Sequence, residues 1–93
     1  MTTALYRTDF PQQCRVHTLD GVTLVFNRRS GATHFLDSPA PEMLALLAEA
    51  AMDPATLTTC LCDRLGVQPD EEAEAVVEAR LAELVATGLV QTD

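Results

Sequence analysis

The pattern of apolar and polar positions changes character once, near Pro39. Before that residue the chain runs in short β-branched and apolar stretches, and after it apolar residues recur every three or four positions. Cys14 to Leu19 and Val22 to Asn27 flank Asp20-Gly21, the strongest two-residue hairpin signal available, and so predict two antiparallel strands. A second turn, Arg28-Arg29-Ser30-Gly31, leads into Thr33-His34-Phe35-Leu36. That segment predicts a third strand, completing a meander and lying at a sheet edge.

Three helices follow. Asp37 and Ser38 are N-capping residue types and Pro39 suits a first helical position, so a first helix is expected there, continuing through Met43, Leu44, Leu47 and Ala51. Asp53-Pro54 repeats the cap-then-proline signal. Leu57, Leu61 and Leu65 then share one face, and Gly66 marks the stop. Pro69-Asp70-Glu71-Glu72 opens the third and longest helix, since carboxylates in a first turn complement the helix dipole. Ala73, Val77, Leu81 and Leu84 form its apolar stripe, and Gly88 ends it so that Leu89-Val90 can pack back. The expected class is α+β and winged-helix-like, with an N-terminal three-stranded antiparallel sheet followed by three helices. Residues 1 to 12 lack periodicity and include Pro11, so they are expected to be extended or poorly ordered.

A chain of 93 residues supports one core, which makes residues 1–93 a single domain. No stretch approaches the roughly 18 uninterrupted apolar residues of a membrane span, and the start has no signal-peptide pattern, so a soluble cytoplasmic protein is expected. The three cysteines leave one unpaired in any arrangement, which fits a reducing compartment. Cys60 and Cys62 are two residues apart on a helix, so their thiols point to opposite sides and form no metal pair. They are read as structural thiols.

Charge separates the halves. Residues 1–37 carry four arginines against three aspartates, whereas residues 38–93 carry two arginines against eleven carboxylates, for a total of −8 with no lysine. Such a surface repels phosphates, and the third helix offers Glu71, Glu72, Glu74, Glu78 and Glu83 where a recognition helix would need basic or amide side chains. A winged helix-turn-helix transcription regulator is therefore the alternative reading, with charge against it, and a plain protein adaptor is a third. No phosphate-cradling loop, nucleophile elbow or metal-ligand spacing is present, and the two histidines have no evident nucleophile to activate, so no enzyme activity and no cofactor or metal is expected.

From about Val16 to Val90 the chain resembles the PqqD-like family, winged-helix-type modules also called RiPP recognition elements. The resemblance is carried by Val25-Phe26-Asn27, Ser30-Gly31-Ala32-Thr33-His34-Phe35-Leu36-Asp37, Met43-Leu44-Ala45-Leu46-Leu47, and Leu84 with Gly88-Leu89-Val90. The Ser30 to Asp37 stretch is similar to the branch found beside HPr-kinase-related proteins. The Pro-Glu-Gly turn and Leu-Asn step usual in the pyrroloquinoline quinone branch are replaced here by Arg28-Arg29-Ser30-Gly31 and Leu36-Asp37. The resemblance implies a non-catalytic peptide chaperone. It would bind the leader segment of a ribosomally made precursor peptide as a strand added beside the third strand, in a groove closed by the third helix. It would then present that peptide to a modifying enzyme, which the similarity of the Ser30 to Asp37 stretch points to as HPr-kinase-related. The edge would be Thr33, His34, Phe35 and Leu36, and the wall Val76, Val77, Arg80, Glu83 and Leu84. No nucleic acid or membrane partner is implied. A free edge leaves monomer and homodimer both open.

Individual residues read two ways. Phe35 and Leu36 point to opposite sheet faces, so one is core and the other lines the groove or is half covered. His34 is either a pH-sensitive contact or a satisfied structural residue. Arg28 and Arg29 either steer an acidic leader or sit solvated in a turn, and Asp70 to Glu74 either cap a helix or attract a basic partner.

Overall fold

Within residues 4–92, which the computed structural model describes, the hairpin signal forms as expected. Asp20 and Gly21 both take positive φ, 47° and 81°, the pair of conformations that a type I′ turn requires and that Gly tolerates best. Eight elements run in chain order: β1 (Tyr6–Arg7), β2 (Cys14–Leu19), β3 (Val22–Asn27), β4 (Thr33–Leu36), α1 (Ala40–Glu49), α2 (Pro54–Leu65), α3 (Glu71–Thr87) and β5 (Gln91–Thr92). β2, β3 and β4 form an antiparallel sheet in that order. The three strands expected from the sequence, followed by three helices, make the fold α+β.

The third-strand turn is organised by Asn27, whose carboxamide oxygen accepts from the Arg29 and Ser30 amides while its own N–H donates to the Ala32 carbonyl at 2.9 Å. Asn27 is buried, and these bonds satisfy its side-chain oxygen and its backbone N–H. They also fix where β4 begins.

Two helix caps form as the sequence predicts. Asp53 accepts from the Thr56 amide at 2.7 Å and Asp70 from the Ala73 amide at 2.8 Å. Gly88 closes α3 in the left-handed conformation at φ 83°. The start of α1 differs from expectation. Pro39 occupies the cap position rather than the first helical one, no side chain caps the backbone, and the Ser38 hydroxyl bonds the Glu42 carboxylate instead, at 2.6 Å. The helix also ends at Glu49, because Ala50 is extended, so Ala51 lies outside it. In α2, Leu57 and Leu61 are buried but Leu65, the last helical residue, is 46% exposed.

One core holds the parts together. Val25 of the sheet packs with Met43, Leu44 and Leu47 of α1, Leu57 and Leu61 of α2, and Val77, Leu81 and Leu84 of α3. Each fully buried side chain of this size contributes about 1.5–3 kcal/mol. Leu89 and Val90 return onto the same cluster, and beyond them β5 pairs antiparallel with β1. Tyr6 exchanges backbone hydrogen bonds with Met52 at 2.8 and 3.0 Å, which attaches β1 to the segment between α1 and α2. The N-terminal stretch is extended at Tyr6–Arg7 and paired there. Residues 1–3, part of the expected loose segment, lie outside the described residues.

Candidate functional site

β4 is an edge strand with a patterned backbone. In the β2–β3 hairpin the two-residue turn makes Leu19 and Val22 the closing hydrogen-bonded pair, so Val22, Leu24 and Phe26 bond to β2. Thr23, Val25 and Asn27 are left to bond toward β4, in agreement with the Asn27-to-Ala32 bond. By the same alternation His34 and Leu36 spend their backbone groups on β3, whereas Thr33 and Phe35 direct theirs to the free edge.

Side chains alternate in the same way. His34 stands opposite Val25, which is fully buried, and Leu36 opposite Thr23, so both face the helices. Phe35 stands opposite Leu24 on the other face and is 71% exposed. Leu36 packs against the core.

Beside this edge runs a cleft of about 340 Å³, walled by β4 on one side and by the C-terminal half of α3 on the other. Thr33, His34, Phe35 and Leu36 supply the strand side, and Arg80, Glu83 and Leu84 the helix side. Seven of the nine residues singled out in the sequence thus border one cavity. Val76 and Val77 do not. Val77 is 2% exposed and belongs to the core, while Val76 is 43% exposed one turn before the cavity begins. The wall is displaced toward the end of α3, and Thr87, one turn beyond Glu83 and Leu84, completes it. Asp37 and Ala40 close the end of the cleft where β4 passes into α1. None of these three was read from the sequence as lining the groove. Thr87 was within reach, because Arg80, Leu84 and Thr87 follow the i, i+4, i+7 spacing of one helix face.

The cleft is chemically mixed. Arg80 donates from one guanidinium nitrogen to both Glu83 carboxylate oxygens, at 2.8 and 3.0 Å, on an exposed rim. The Thr87 hydroxyl is turned away to the Leu84 carbonyl at 2.7 Å. His34 Nε2 is buried without a hydrogen-bond partner, the sole such side-chain atom among the described residues. At Nε2, then, His34 lacks the partner that the structural reading expects.

Other singled-out groups are placed elsewhere. Arg29 pairs with Asp9 at 2.6 Å, far in sequence but adjacent at the β3–β4 turn. Asp70 caps α3, and Glu71, Glu72 and Glu74 occupy its first turn. The three cysteines are free, with Cys62 buried and Cys14 and Cys60 half-buried. Burial, assisted by the nearby Asp9 carboxylate, raises the Cys14 thiol above its ordinary range, which disfavours the reactive thiolate. On the outer face of the sheet a second depression of about 350 Å³ is lined by Arg15, His17, Leu24, Phe26 and Thr33. No grouping of three or more metal-ligating side chains occurs among the described residues, and no helix there is long and apolar enough to cross a membrane.

No protein-family model matches this chain, and no curated protein matches it by sequence. Two solved structures match it by fold. One is TbiB1 in complex with the TbiA(beta) leader peptide, with a TM-score of 0.67 at 16% identity, covering 91% of this chain and 94% of that one. The other is a lasso peptide synthetase B1 complexed with the leader peptide, with a TM-score of 0.66 at 21% identity, covering 92% of this chain and 96% of that one. The sheet, the helices and their order are therefore shared with two proteins solved with a leader peptide bound.

Proposed function

We propose that this chain is a non-catalytic binder of the leader segment of a precursor peptide, which it holds as a strand added to β4 and presents to a modifying enzyme. The observation that carries the proposal is the juxtaposition of a free strand edge with a helix wall across a partly apolar cleft. The edge supplies backbone pairing that any extended peptide can use, and the cleft supplies selection by receiving alternate side chains. The likeness to two leader-bound proteins supports the same reading.

On this reading the chain is a PqqD-like recognition module of the cytoplasm. The Ser30 to Asp37 stretch favours the branch found beside HPr-kinase-related proteins, and the enzyme served would then belong to that class. An acidic α3, with three carboxylates in its first turn, is unsuited to entering a DNA groove.

A random dodecapeptide display library selected on the folded protein, followed by titration of synthesised binders, tests the proposal. Amide shifts are expected on β4 and on Arg80 to Thr87. Shifts confined to α1 and α2 would exclude strand addition.

A further inference from the structure

We infer that His34 is the specificity-determining polar contact of the cleft and selects a neutral hydrogen-bonding side chain, a hydroxyl or carboxamide, at one position of the bound peptide. The inference rests on the strand-addition reading and deepens it.

Three observations carry it. His34 Nε2 is buried and has no hydrogen-bond partner among the described residues, although burial of an unpaired ring nitrogen is costly. The same imidazole lines the cleft, held there by the register that places it opposite the fully buried Val25. Two of the cleft's other polar side chains are engaged elsewhere, Arg80 with Glu83, and Thr87 as donor to the Leu84 carbonyl. A peptide strand laid along Thr33 and Phe35 directs alternate side chains toward this face of the sheet, where one of them meets the imidazole.

The chemistry of that side chain follows from what surrounds it. An apolar group would leave Nε2 unpaired in the complex as it is in the free protein, so it gains nothing there. A carboxylate would enter a cleft that already holds Asp37 and Glu83 against Arg80 alone. A hydroxyl or carboxamide carries both donor and acceptor and satisfies the ring in either tautomer. Discrimination of this kind comes from the bond gained, since only a peptide that carries the group relieves the unpaired nitrogen.

The test compares display selections of random dodecapeptides on the wild-type protein, His34→Leu and His34→Gln, with circular dichroism confirming that each is folded. Wild-type binders are expected to carry Ser, Thr, Asn or Gln at one fixed position. In a synthesised Thr-bearing binder, replacing that Thr by Val should weaken wild-type binding about tenfold, the scale of one unsatisfied buried group. The same replacement should leave His34→Leu binding unchanged, while His34→Gln retains the preference. Binders that shift β4 and α3 amides but show no polar preference, or an equal Thr-to-Val loss in all three proteins, overturn the role of His34 and leave strand addition standing. Binders that shift amides elsewhere, or a library that yields none, overturn strand addition and this inference with it.

Discussion

β2 and β4 both end the three-stranded sheet, and both leave alternate backbone groups without a strand partner among the described residues. They differ in what stands beside them. β2 is exposed along nearly its whole length. β4 is only four residues long, yet His34 and Leu36 are half-buried and the C-terminal half of α3 rises next to it. A free edge alone offers pairing to any extended chain, including another copy of itself, whereas an edge with a wall gives the incoming side chains somewhere specific to go. The comparison teaches that the cleft is made by α3 as much as by the strand.

The largest expected effect comes from destroying that wall. Leu84 is 2% exposed and bridges core and cleft, so Leu84→Asp buries an unpaired carboxylate and should cost more than about 4 kcal/mol, a large fraction of the stability of a domain this size. Loss of the cooperative thermal transition by circular dichroism checks it. A folded Leu84→Asp protein would place that residue outside the core.

Next is the contrast between the two edges. Phe35→Pro removes a donor that faces away from β3 and should leave the domain folded while weakening peptide binding about tenfold or more beyond the Phe35→Ala control. Val16→Pro does the same to the free side of β2, because Val16 is opposite Val25 at a position that does not bond across the hairpin. It should leave binding unchanged. Equal losses by calorimetric titration would erase the distinction between the edges.

The contrast also shows what could be read from the sequence. Local signals with a short-range cause were legible: Asp20-Gly21 makes its turn, and Asp53 and Asp70 make their caps, because each acts on backbone within three residues. Signals that depend on distant partners were not. The β1–β5 pair has two residues on each side, too few for any alternation, and forms because Leu89 and Val90 are drawn into the core. The 3.6-residue period of α3 identified its buried stripe at Val77, Leu81 and Leu84 but not which turn would meet β4, hence the shift of the cleft from Val76 and Val77 toward Thr87. The unpaired His34 nitrogen depends on what lies around it in space.

Smaller effects separate the wall from its foundation. Asp70→Ala removes the cap of α3 at the end remote from the cleft and should cost about 1 kcal/mol in denaturant unfolding, with peptide affinity retained. A matching loss of affinity would mean that the whole helix, rather than its last turns, sets the site.

The smallest effect is a pH dependence. Hydrogen bonds from the Thr56 side chain and backbone hold the Asp53 carboxyl below its usual range. A depressed carboxyl contributes stability that is fully present above its ordinary value of 3.8 and is lost as pH falls through the lower folded value. Asp53→Asn should therefore flatten the acid limb of the stability curve slightly. An unchanged limb would show that this cap does not titrate in the transition.

The central claim, that a peptide pairs with the open side of β4, is tested most directly by amide hydrogen exchange at four consecutive residues. In the free protein the Thr33 and Phe35 amides should exchange fast while His34 and Leu36, bonded to β3, are protected. On saturation with a selected peptide Thr33 and Phe35 should become protected as well, and β2 should not change. Protection that appears along β2, or a bound state in which Thr33 and Phe35 still exchange as in the free protein, would contradict the account.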